Sequence, residues 1–140
     1  MKSSILLRIA SVLTLIFCAG QSYQAYETAH TRDPGEAAVF MAMQSYGLEM
    51  VGGLRSHWDF YRGYSLLFSA TLLMLAVLLW QLAAAARSDA ARIRPLLATL
   101  FLGCMGFTIL SGVFFFFAPA AFSAAIAICI ALAFNSARSG

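Results

Sequence analysis

The side chains best suited to chemistry are gathered in one stretch. Arg55-Ser56-His57-Trp58-Asp59-Phe60-Tyr61-Arg62-Gly63-Tyr64 stands directly before a long apolar run. A histidine beside a carboxylate can serve as general acid or base near neutral pH. His57 and Asp59, with Tyr61 as hydrogen-bond donor and Glu49 upstream, therefore form the candidate catalytic set. They would suit an interfacial isomerase or hydrolase acting on an apolar substrate. On a helix, His57, Tyr61 and Tyr64 share a face, Arg55 and Asp59 are four apart, and Trp58 and Arg62 are spaced for a cation–π contact.

The same residues also have a purely structural account. Ser56 and Asp59 have the spacing of a capping box ahead of an apolar run, and an acid in the first turn suits the helix dipole. Trp58, Tyr61 and Tyr64 suit an aromatic belt at a membrane interface. That account is favoured over catalysis. No histidine pair has HxxxH or HExxH spacing, so neither a metal nor a cofactor is expected. Cys18, Cys104 and Cys129 lie in apolar runs without a CxxC pair, which excludes a disulfide framework and thiol oxidoreductase chemistry. His30 is expected to be a solvated loop residue.

What must position this cluster is a bilayer. The 140-residue chain, one domain by length, is 61% hydrophobic and 11% charged, against about 25% charged residues in soluble domains. Its polar surface is too small to cover a soluble globule. A net charge of +3 without a basic stripe gives no footprint for nucleic acid. About 20 apolar residues cross the hydrocarbon core as a helix, and four stretches qualify: about 4–23, 60–86, 95–117 and 119–134. The fourth is short for a full crossing. Lys2, the apolar core and Ala19-Gly20 also resemble a secretory signal. The long apolar stretch, followed by Gln21, Tyr23 and Tyr26, points instead to a retained anchor. Phe17 before Cys18 argues against lipoprotein cleavage.

Basic residues in short loops set orientation. Lys2, Arg8, Arg87, Arg92, Arg94 and Arg138 mark the cytoplasmic side of a bacterial inner membrane. The acid-rich segment 27–59 falls outside, with both termini in the cytoplasm. Within that segment, Asp33-Pro34-Gly35-Glu36 reads as a helix start. An amphipathic helix over 34–50 is expected, with Val39, Met43, Tyr46 and Met50 on one face and Gly52-Gly53 as a hinge. The predicted fold is thus an all-α four-transmembrane-helix bundle with one extra amphipathic helix. No Asp, Glu or Lys lies near the middle of a span, which argues against a monomeric ion pathway. Thr99, Gly103 and Gly106, and Ala120, Ala124, Ala127 and Ala131, are the expected small-residue packing stripes. Phe114, Phe115, Phe116 and Phe117 belong at a tight turn, facing lipid or core.

The run Tyr46, Glu49-Met50, Gly53, then Arg55 through Tyr64, resembles the signature of a group of small, uncharacterised bacterial four-helix integral membrane proteins. That group carries a Trp-Asp-Phe-Tyr-x-Gly stretch at the head of its second span, and an aromatic residue where this chain has His57. The resemblance implies the same architecture over most of the chain and favours Asp59 and Tyr61 over His57 as shared site residues. It implies no activity. The expected function is non-catalytic binding of a lipid-like ligand, or of a membrane-protein partner or second copy, through Met43, Tyr46, Met50, Trp58, Tyr61 and Tyr64. The alternatives are the interfacial enzyme described above and an accessory subunit of a larger membrane complex.

Overall fold

The computed structural model describes residues 2–137; Arg138, one of the expected cytoplasmic charges, lies outside them. The described chain runs α1 (Lys2–Ala29), α2 (Pro34–Ser45), β1 (Gly47–Met50), β2 (Gly53–Ser56), α3 (His57–Ala85), α4 (Arg94–Phe114) and α5 (Phe117–Ser136). Four helices, α1, α3, α4 and α5, are long and apolar enough to cross a membrane. The last is not short. Its 20 residues span about 30 Å, the depth of a hydrocarbon core. It begins at Phe117, ahead of Pro119, because proline is tolerated in a first turn, where its missing N–H has no intrahelical partner to lose. Helix α4 correspondingly stops at Phe114, and the Phe115 N–H closes it on the Ser111 carbonyl at 3.0 Å. All four phenylalanines of this corner are exposed on the protein surface, as lipid-facing residues would be.

The chain divides into two compact units, Met1–Phe17 with Leu72–Gly140, and Cys18–Thr71. In the first, buried residues recur at alternating steps of four and three. They are Ser3, Leu7, Ala10, Thr14 and Phe17 on α1, Leu72, Ala76, Leu79 and Ala83 on α3, and Pro119, Ser123, Ile126, Ile130 and Ala133 on α5. A 3.5-residue period keeps one narrow seam of a helix facing its neighbour, the pattern of shallow-angle bundles. Across the α1–α3 seam the Ser4 hydroxyl donates to the Ala83 carbonyl and the Ser11 hydroxyl to the Ala76 carbonyl, each at 2.7 Å. A hydroxyl reaches a facing backbone this closely only where both helices present small side chains. Between α4 and α5, Thr108 Oγ1 and Ser123 Oγ meet at 3.1 Å, and the Phe17 and Phe122 rings stack at 5.4 Å.

The expected small-residue stripe on α4 is not its packing face. Thr99 and Gly103 are exposed and Gly106 is half-buried; a Cβ added at either glycine would meet nothing within 4 Å. The buried line is Leu97, Cys104 and Ser111. From Cys104 on that line, Gly103 lies one residue away and Gly106 two, about 100° and 200° around a helix. On α5, Ala127 is buried as expected, whereas Ala120, Ala124 and Ala131 are only half-buried beside Ile126 and Ile130.

The second unit departs from expectation between α2 and α3. The helix expected to reach Met50 ends at Ser45, and residues 47–56 form an antiparallel hairpin pairing Gly47 with Ser56, Leu48 with Arg55, Glu49 with Leu54 and Met50 with Gly53. Gly52 and Gly53 have φ of +106° and +125°; these angles suit glycine, and the two residues close the hairpin turn and open β2 instead of forming a hinge after a helix. Gly47 lies against Leu54, where a Cβ would come within 2.8 Å of the leucine side chain.

The seam makes a direct prediction for thermal unfolding in detergent. Ser11→Ala should cost about 0.6 kcal/mol, the average for an interhelical hydrogen bond in a membrane protein. Ser11→Leu should lower the midpoint far more, by wedging α1 from α3. Gly103→Ala should change nothing. Wild-type stability in Ser11→Leu would show that the seam does not hold these helices.

Candidate functional site

Strand β2 delivers Ser56 to the start of α3, where the expected capping box forms in both directions. The Ser56 N–H and hydroxyl each donate to Asp59 Oδ2 at 2.9 Å, and the Asp59 N–H donates to Ser56 Oγ at 3.2 Å. At α2 the Glu36 N–H donates to Asp33 Oδ1 at 2.9 Å, which makes Asp33 the N-cap with Pro34 behind it. Asp59 is therefore engaged at its own helix end. His57 is exposed and packs its ring on Tyr46 at 5.6 Å, while Glu49 is exposed on β1 opposite Leu54. The four residues singled out as possible acid, base and donor have separate partners and do not converge.

What the fold does build is an aromatic cluster. Phe40 of α2 sits 4.9 Å from Trp58 and 6.4 Å from Tyr61, and Trp58 stacks on Tyr61 at 5.7 Å. The largest ring of α2 thus docks the helix onto the first turns of α3. Its partly covered residues are Ala37, Phe40 and Met43, whereas Val39 is exposed. Tyr46 and Met50 lie beyond the helix end, so the face expected from sequence does not form. Trp58 pairs with rings instead of with Arg62, and Tyr64 stacks on Phe60 at 6.4 Å.

Beside this cluster, the C-terminal end of α1 and the N-terminal end of α3 enclose a cleft of about 230 Å³. From α1 come Ser22, Ala25, Tyr26 and Ala29, with His30 just beyond; from α3 come Trp58, Tyr61, Arg62, Ser65, Leu66 and Ser69. The helices close below it through Cys18, whose thiol donates to the Ser69 carbonyl at 3.3 Å, and through Ser22, whose hydroxyl donates to Ser69 Oγ at 3.2 Å. Of the six expected binding residues, Trp58 and Tyr61 line the cleft, while Met43, Tyr46, Met50 and Tyr64 do not. His30 is an exposed turn residue, as expected, and it has contacts of its own. Its Nδ1–H donates to the Tyr26 carbonyl at 2.8 Å and its ring stacks on Tyr26 at 4.2 Å, so it caps α1 and borders the cleft. The signal for the missed Arg62, Ser65 and Ser69 is their spacing from Trp58, in steps of four, three and four, one face of a helix.

A second hollow, about 620 Å³ and polar, is bordered by Glu27, Thr31, Arg32 and Glu36; the Thr31 hydroxyl donates to Glu36 Oε2 at 2.7 Å. Among the described residues no three His, Cys, Asp or Glu side chains gather as a metal site, and the three cysteines are free thiols. No family model, curated protein or solved structure matches this chain.

Ser56→Ala and Asp59→Asn should each speed amide hydrogen exchange at residues 57–60, and the double variant should add little, since both remove one reciprocal cap. Additive effects would mean that the two residues act separately.

Proposed function

We propose that this protein is a small bacterial inner-membrane protein, N- and C-termini cytoplasmic, that binds a lipid-like ligand in the Trp58–Tyr61 cleft without transforming it. The observation carrying this is the cleft's composition: aromatic rings and hydroxyls, one arginine, and His30 held by the Tyr26 carbonyl, with His57 and Asp59 engaged elsewhere. Its volume is below the roughly 300–1,000 Å³ of drug-sized pockets, which suits part of an amphiphile whose remainder lies in the bilayer. The resemblance to small bacterial four-helix membrane proteins belongs to the same proposal.

Helix α2 supports an interfacial cap. Its outer residues Val39 and Met41 are 57% and 64% exposed, and Glu36 is its sole charge. A largely apolar surface segment of this kind finds its missing partner at the headgroup–acyl boundary. The charges of Lys2, Arg8, Arg87, Arg92 and Arg94 support the orientation.

Protein purified in mild detergent should retain lipid, read by native mass spectrometry. Trp58→Ala and Phe40→Ala should lose it, and Leu102→Ala, on an exposed face of α4, should keep it. Equal retention in all variants would remove the cleft as the binding site. For orientation, in a background without native cysteines, an impermeant thiol reagent should label Glu36→Cys in intact cells and spare Asp89→Cys. The reverse pattern would invert the topology.

A further inference from the structure

A separate constellation lies where the start of α1 meets the end of α3. We propose that Arg87, bonded to Ser4, and Arg8, one turn along α1 from Ser4, bind the phosphate of an anionic membrane lipid. Ser4 is buried and doubly engaged: its hydroxyl donates to the Ala83 carbonyl at 2.7 Å and accepts from Arg87 Nε at 3.3 Å. That contact fixes the Arg87 guanidinium at the helix crossing. One turn along α1, Arg8 lays its guanidinium 4.8 Å from the centre of the Trp80 ring. The ring holds the guanidinium plane but offers no acceptor, and Arg8 Nε is buried without a hydrogen-bond partner. Buried N–H groups are rarely left so.

Charge points the same way. Lys2, Arg8, Arg87, Arg92 and Arg94 gather at these helix ends and the α3–α4 turn, with Asp89 as the sole acid. Asp89 is occupied by that turn, its Oδ1 accepting from the Arg92 N–H at 3.1 Å. Arg87 thus reaches the α1–α3 seam at Ser4 and Arg8 reaches it one turn along at Trp80, and among the described residues the one acid at this end, Asp89, is engaged by its own turn. A phosphodiester supplies two charged acceptor oxygens, and arginine is the side chain best shaped to bind them. The surroundings favour a lipid over a soluble anion: Ile5, Ile9 and Trp80 flank the arginines and are about half exposed, a wall along which acyl chains can lie. Basic pockets between transmembrane helices recognise lipid head groups by this chemistry.

The test uses the full chain in vesicles of phosphatidylcholine with a minor fraction of phosphatidylglycerol, extracted and read by native mass spectrometry. The retained lipid should be enriched in phosphatidylglycerol. Arg8→Gln and Arg87→Gln should each reduce that enrichment about tenfold, the worth of one charge-assisted hydrogen bond. Arg92→Gln, at the same end, should preserve it. Equal loss in Arg92→Gln would overturn the site in favour of diffuse attraction, and no enrichment in the wild type would overturn it outright. In a Trp58→Phe background, Trp80 emission should shift when phosphatidylglycerol is added. A matching shift from inorganic phosphate in pure phosphatidylcholine would overturn the lipid assignment. Trp80 reports on the wild-type arginines, so the proposal stays testable if the glutamine variants fold poorly. Failure here leaves the Trp58–Tyr61 cleft untouched, because lipid retention there is scored by Trp58 and Phe40.

Discussion

Small hydroxyl and thiol side chains that reach across to a facing backbone carbonyl organise this protein. Ser4 with Ala83, Ser11 with Ala76 and Cys18 with Ser69 recur at seven-residue intervals on antiparallel helices. In lipid the surroundings of a helix are as apolar as its neighbour, so burying leucine against leucine gives little drive to associate. A hydroxyl that finds a carbonyl is both a contact and a register mark, since a slip by one residue would place a larger side chain in the seam. Within each compact unit, the α1–α3 contacts follow from this requirement.

The cleft begins where that requirement lapses. In the second unit the pairing ends at Ser22 and Ser69, and the next positions are taken by Tyr26, Arg62, Tyr61 and Trp58. The space between the helices there is lined by the rings of Tyr26, Trp58 and Tyr61 together with the small side chains of Ala25, Ala29 and Ser65. Helix α2 docks there because Phe40 finds Trp58 and Tyr61. The candidate site is thus a space walled by rings and small side chains, and the Ser56–Asp59 cap and the His57–Tyr46 pair lie outside its lining.

Much of this was legible in the sequence, and the remainder was hidden for definite reasons. The spans follow from apolar length, and the two caps, Asp33 with Glu36 and Ser56 with Asp59, depend on local spacing that no tertiary contact overrides. The seam was obscure because transmembrane helices are apolar on every face, so hydropathy carries no period; serines 4 and 11 marked it more faithfully than the glycines of α4. The hairpin escaped notice because its two short strands lie in a run that also suits a helix, and the meaning of Gly47 depends on Leu54 across the pair. His30 is exposed as expected, but its bond to a backbone carbonyl is one that no pattern of side chains announces.

Ser56 is at once the last residue of β2, paired with Gly47, and the cap of α3 through Asp59. The strand ladder and the helix start therefore share one joint, and neither can be rebuilt without disturbing the other. A ligand that displaced Phe40 would pull, through α2 and the hairpin, on the residue that sets where α3 begins. The segment from α2 to β2 behaves as a lever whose fulcrum is a single hydroxyl-bearing residue, and threonine is the substitution best able to preserve both of its duties.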